Sequence, residues 1–130
     1  MMILLDTHTL LWFIMGDSKL SPKARSLINN PEIQPFLSVA SLGEMAIKIS
    51  MGKLNLNQPL ETLISPQLAH NGIELLEIKT PPLLTVSKLP YHHTDPFDRM
   101  IIAQALVEQM PIVGRDKAFD AYDVIRLWSI

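Results

Sequence analysis

Residues 3–15 read Ile3-Leu4-Leu5-Asp6-Thr7-His8-Thr9-Leu10-Leu11-Trp12-Phe13-Ile14-Met15. Ile3-Leu4-Leu5 has the look of a short buried strand, and the segment from about Thr7 to Met15 that of a helix behind it. Asp6 stands at the joint, where it or Thr7 is placed to cap the helix. A charge that directly ends a buried strand is expensive unless something uses it.

The same strand-then-helix alternation continues outward from this unit. Gly16-Asp17-Ser18 is a turn, and Ser21-Pro22 opens a second helix, closed by Asn29-Asn30-Pro31. Ile33 to Val39 is the second strand, with Pro35 placing it near a sheet edge or at an irregular start. Ser41 to Met51 reads as a helix ended by Gly52, and Leu60 to His70 as another, stopped by Asn71-Gly72. Ile73 to Ile78 is a strand and Pro81 to Lys88 a short helix. Asp95-Pro96-Phe97-Asp98 is a helix start with cap, proline and acid in order, and the helix runs to about Gln109. Pro111 to Gly114 and Val124 to Trp128 are the last strands. Strands alternating with helices give an α/β fold, a single domain over residues 1–130 with a parallel sheet covered by helices.

Composition narrows the class. At 130 residues and 48% apolar, the chain can bury a core, and 18% charged residues argue against disorder. With no cysteine, disulfides and thiolate metal sites are excluded. The longest wholly apolar run, Leu10 to Met15, is far short of the roughly 20 residues that span a bilayer. No basic leader precedes an apolar core, so the expectation is a cytoplasmic protein without a signal peptide and with no membrane partner. A net charge of −2 means that any nucleic-acid binding must come from a local patch.

Asp6, Glu44, Asp98 and Asp116 each stand where an apolar element would least want a charge. In a parallel α/β sheet, ligands gather at the carboxyl ends of the strands, near a topological switch point. Asp6 and Asp116 both follow apolar strands, while Asp98 begins a helix and Glu44 projects from one. Convergent carboxylates repel unless a cation joins them, and oxygen-only ligands suit Mg2+ or Mn2+. Each acid also has a plainer use. Asp98 would favour its helix dipole, Asp116 would cap the turn at Lys117-Ala118-Phe119, and Glu44 would pair with Lys48. Asp95 is best read as a helix cap, with a metal or water contact as the lesser alternative, and His92 and His93 as polar loop residues ahead of ligands. Trp12, Phe13 and Trp128 suit a core or a partner interface better than base stacking. Arg99, Arg115 and Lys117 flank the acids and are candidates for holding phosphates, against ordinary surface charge.

Several stretches together resemble the PIN-domain ribonucleases, particularly the VapC-type toxins of type II toxin–antitoxin pairs. They are Leu4-Leu5-Asp6-Thr7-His8 with Leu11-Trp12, then Ser38-Val39-Ala40-Ser41 with Glu44, Lys48 and Gly52-Lys53-Leu54. His93-Thr94-Asp95-Pro96-Phe97-Asp98-Arg99 with Ile102-Ala103-Gln104-Ala105, and Ile112-Val113 with Arg115-Asp116 and Phe119, complete the set in family order. The resemblance implies a five-stranded parallel sheet and an acidic site of Asp6, Glu44, Asp98 and Asp116. It also implies Mg2+ or Mn2+ dependence, an RNA substrate, a homodimer and a cognate antitoxin. Two positions depart from the pattern. Gly114 replaces a hydroxyl residue common before the last acidic motif, and Gly43 an aromatic often found before the helix glutamate.

On this reading the acids hold one or two metal ions that activate water for in-line attack on an RNA phosphodiester. Asp6, Asp98 and Asp116 are the expected inner ligands, and Glu44 binds metal or orients the water. Thr7 is expected to bond an acid or a metal-bound water and, with Arg99 and Arg115, to meet substrate. The alternative is a non-catalytic protein of the same fold that binds RNA or a partner. An aspartate-based phosphotransferase ranks below both, because such enzymes commonly carry a second acid where His8 stands.

Overall fold

The computed structural model describes residues 1–129; the final residue of the expected 1–130 domain lies outside them. Five parallel strands form one sheet in the order β3-β2-β1-β4-β5. They are β1 (Met2–Leu5), β2 (Gln34–Ser38), β3 (Glu74–Leu76), β4 (Ile112–Val113) and β5 (Arg126–Leu127). The helices are α1 (Thr7–Met15), α2 (Pro22–Asn29), α3 (Val39–Ser50), α4 (Leu60–His70), α5 (Thr80–Val86) and α6 (Pro96–Glu108). A 3₁₀ turn, Lys117–Ala121, lies between β4 and β5. Among the described residues, no helix is long and apolar enough to cross a membrane.

Alternate residues of β1 feed two separate cores. Ile3 and Leu5 join Leu10, Leu37, Met45, Ile64 and Val113 on one face. Leu4 joins Ile101, Ile102, Ile112 and Phe119 on the other. Side chains alternate across a strand, so a strand covered on both faces must be apolar at every position. That is why Ile3-Leu4-Leu5 is an unbroken apolar run. Leu4 pairs with Phe36 and Ile112, and Leu5 with Leu37 and Val113, which makes β1 the centre of the sheet.

The strand order fixes where a site can form. The chain steps from β1 to β2 to β3 on one side, then crosses to β4 and β5 on the other. The reversal falls between β1 and β4, and a crevice opens beyond their carboxyl ends. Asp6 follows β1 and Asp116 follows β4, so the topology brings both to that crevice.

Two expectations are adjusted. Pro35 lies in an interior strand, because β2 runs between β1 and β3. It is tolerated as an irregular start. The Gln34 amide donates to Met1 on the β1 side, so position 35 faces β3, which begins only opposite Phe36. Helix α3 starts at Val39 rather than Ser41, since Ser38 already accepts a bond from the Ala40 amide and acts as the cap.

Candidate metal centre

Asp6 occupies the N-cap position of α1, yet its side chain makes no cap hydrogen bond. It is 7% exposed, and its carboxyl is pushed up to about 7. Burial is the main cause, opposed by the Thr7 amide and reinforced by the fields of Glu44, Asp116 and Asp95. Asp98, in the first turn of α6, is also pushed up to about 7. Burial again comes first, followed by Asp6, Asp95, Glu44 and Asp116.

Asp95 caps α6 as expected, accepting from the amides of Phe97 at 2.8 Å and Asp98 at 3.3 Å. It thereby holds the turn that carries Asp98. Asp116 divides its carboxylate. Oδ1 accepts from the Ala118 amide at 3.0 Å, while Oδ2 lies 3.6 Å from His93 Nε2. The Asp116 side chain is 54% exposed, so it is the open rim of the site.

One donor atom from each of His93, Asp98 and Asp116 lies within 4.8 Å of the other two. Asp6 and Glu44 are not part of that set, and β4 passes close to Asp6 at the same edge of the sheet. A Cβ on Gly114 would come 3.2 Å from the Asp6 Cβ and 3.7 Å from Asp6 Oδ2. The missing hydroxyl at position 114 therefore goes with a tight passage between β4 and Asp6. The departure at Gly43 is accommodated differently, since a Cβ there would make ordinary contact with the Phe97 ring at 3.6 Å.

Glu44 reaches the same edge from α3 but is already engaged. Its Oε1 accepts from Thr7 at 2.7 Å and its Oε2 from Lys48 at 2.6 Å. Thr7 Oγ also lies 2.8 Å from Ser41 Oγ. Thr7 has one hydroxyl proton and the carboxylate only accepts, so Ser41 donates to Thr7 and Thr7 to Glu44. The expected pairing of Glu44 with Lys48 is present, though Glu44 is buried rather than on a solvated face. The bond to Glu44 is the main reason the Lys48 ammonium is held above its ordinary value.

Two expected substrate contacts are corrected. Arg99 is 5% exposed, and its guanidinium donates to the carbonyls of Val86, Leu89, Pro90 and His93. It braces the loop beneath the site and is not free for phosphate. Thr7 bonds an acid as expected, but it is buried with its one hydroxyl proton given to Glu44, which leaves none for substrate. Arg115 remains available. It lines an open cleft of about 670 Å³ with Asp6, His8, Trp12, Asp116 and Lys117. His93 lies in a loop as expected, yet it is buried, with Nε2 facing Asp116.

The donor set fits a divalent cation. Asp6 is buried and Asp98 largely so, each within the field of other acids, and the Lys48 ammonium is bonded to Glu44. Metal-free protein should therefore lose stability as pH rises. A carboxyl raised from 3.8 to about 7 holds its proton more tightly folded than unfolded. The penalty is absent below about pH 4, grows to about pH 7 and is complete above it. Asp6 alone gives roughly 4 kcal/mol, and Asp98 adds a smaller part because solvent screens it. Thermal melts of metal-free protein across this window, repeated for Asp98→Asn, check the prediction; the variant should show a shallower decline. Equal slopes would contradict it.

A parallel sheet with acids at its switch point defines an α/β protein with a carboxylate-lined crevice. The PIN domain family model matches residues 3–125, and the chain belongs to that family. Three solved structures share the fold. VapBC2 from Rickettsia felis, bound to a DNA fragment from its promoter, aligns with TM-score 0.73 at 15% identity, over 99% of this chain and 100% of that one. A toxin–antitoxin complex from Klebsiella pneumoniae gives 0.64 at 15% identity, covering 96% and 95%. FitAcB from Neisseria gonorrhoeae gives 0.63 at 19% identity, covering 98% and 96%. No curated protein matches the sequence.

Proposed function

We propose that this chain is a Mg2+- or Mn2+-dependent endoribonuclease, the toxin of a type II toxin–antitoxin pair. The carrying observation is the placing of Asp6, Asp98 and Asp116 at the β1–β4 switch point, with Asp6 and Asp98 both raised by burial first and by neighbouring acids after it. Membership of the PIN family supports nuclease chemistry, and a structural neighbour that is a toxin–antitoxin complex supports a cognate antitoxin as partner. A homodimer and a cytoplasmic location complete the reading.

Asp6, Asp98 and Asp116 are the residues that would hold the cation. A bound dication supplies Lewis acidity, lowering the pKa of water and offsetting charge on the phosphodiester. Glu44 completes the acidic edge, and Ser41, Thr7 and Lys48 fix its orientation. Arg115 and Lys117, exposed on the rim beside Asp116, attract the RNA backbone. With water as nucleophile, preference for RNA rests on shape and contacts rather than on the 2′-hydroxyl.

The test is incubation of purified protein with structured RNAs in Mg2+ or Mn2+, then with EDTA. Cleavage that needs the metal and stops with chelator is the expected result. Binding without cleavage would favour a non-catalytic RNA-binding role instead. Mapping the cut sites on total RNA then identifies the target.

A further inference from the structure

We propose that His93 is a nitrogen ligand of this same centre, making it a mixed site that favours first-row transition dications such as Mn2+ and Co2+ over Mg2+. The proposal rests on the reading of the acids as a divalent-metal site.

His93 lies in the loop before α6 and is 9% exposed. Among the described residues, its Nδ1 and Nε2 are the buried side-chain polar atoms with no hydrogen-bond partner. Buried imidazoles that serve only packing normally satisfy at least one nitrogen. Here Nε2 points to the acids and stands 3.6 Å from Asp116 Oδ2, too far for a hydrogen bond. Donors that share one ion at about 2.1 Å each lie roughly 3–4.2 Å apart. The mutual 4.8 Å limit on His93, Asp98 and Asp116 is therefore a small adjustment away from joint coordination.

The ring is held in place without using its nitrogens. It stacks on Phe119 at 5.2 Å between centroids and leans on Tyr122 at 5.5 Å. The His93 amide donates to the Tyr122 hydroxyl at 2.8 Å, and its carbonyl accepts from Arg99. A ligating imidazole usually has its second nitrogen oriented by a carbonyl or carboxylate. The aromatic clamp takes over that orientation. Imidazole nitrogen binds transition dications better than it binds Mg2+, which prefers oxygen. The third donor thus carries a preference that the carboxylates alone do not.

Pulsed electron paramagnetic resonance on the Mn2+-loaded full chain reads nitrogen ligation directly, through ¹⁴N modulation of the echo. The modulation should be present in wild type and in His8→Ala, which removes the exposed imidazole lining the cleft beside Asp6. It should vanish in His93→Phe, which keeps a ring against Phe119. Calorimetry should show that His93→Phe weakens Mn2+ and Co2+ about 10-fold or more, and Mg2+ by less than about 3-fold. His93→Gln serves for the same comparison if the phenylalanine variant does not fold. Mn2+ binding that depends on Asp98 yet carries no ¹⁴N modulation would overturn histidine ligation and leave the acidic centre standing. Modulation lost in His8→Ala but kept in His93→Phe would also overturn it. No Mn2+ binding by wild type would bring down both the proposal and the reading beneath it.

Discussion

Replacing Asp98 with Asn is expected to lower metal-dependent RNA cleavage by about 10³-fold or more, equivalent to roughly 4 kcal/mol of barrier. Asp98 is placed for this role by α6. The Asp95 cap and Pro96 fix the first turn, and the Asp98 carboxylate then faces Asp116 and His93. Asparagine keeps the shape and removes the charge, so a cation there loses an anionic ligand. The loss cannot be put down to unfolding. Asp98 is raised to about 7 by burial and neighbouring acids, so in metal-free protein near pH 8 the neutral variant should melt no lower than wild type. Rates measured across a Mn2+ titration, beside melts of the same samples, separate the effects. A variant that keeps a tenth or more of wild-type cleavage would remove Asp98 from the centre.

The second large effect concerns stability. Arg99→Ala is expected to cost about 3–5 kcal/mol, because it strips a buried guanidinium's bonds from four carbonyls between the end of α5 and His93. The guanidinium reaches Pro90 O at 3.0 Å, Val86 O at 3.1 Å, Leu89 O at 3.2 Å and His93 O at 3.4 Å. It also lies 3.9 Å from the centre of the Tyr91 ring. Lysine cannot supply that planar fork, so Arg99→Lys should recover less than half of the loss. For a domain of this size the alanine variant should melt about 10–15 °C lower. Differential scanning calorimetry decides it, and a shift within about 2 °C would show that the loop does not need the guanidinium.

The contrast between Asp98 and Arg99, neighbours in the chain, marks what the sequence can convey. Asp95-Pro96-Phe97-Asp98 announces a helix start through local chemistry, and the helix begins at Pro96 as that pattern implies. Ile3-Leu4-Leu5 and Ile112-Val113 were legible as buried strands for the same local reason, and Asp6 and Asp116 came with them. Arg99 was not legible. Its burial depends on residues 86–93 folding back over α6, and an arginine beside an aspartate looks like surface charge. Gln104 is a similar case. It stands fully buried in α6, paired to Ser38 of β2 and to the carbonyl of Glu77 just beyond β3.

His93 was hidden for a different reason. His92 and His93 are chemically identical in sequence, and only tertiary structure decides which ring turns inward. Phe119 and Tyr122, the rings that hold His93, arrive after the whole of α6 and β4. Glu44 was legible as a special acid, but the Ser41–Thr7 relay that holds it joins α3 to α1 and has no signature in either segment.

Crystals of the full chain grown with Mn2+, with anomalous diffraction recorded at the manganese edge, show whether these acids hold a dication. An anomalous peak is expected among the carboxylates of Asp6, Asp98 and Asp116. Saturating Mn2+ that leaves this crevice without a peak, or that binds only elsewhere on the surface, would contradict a dication held there.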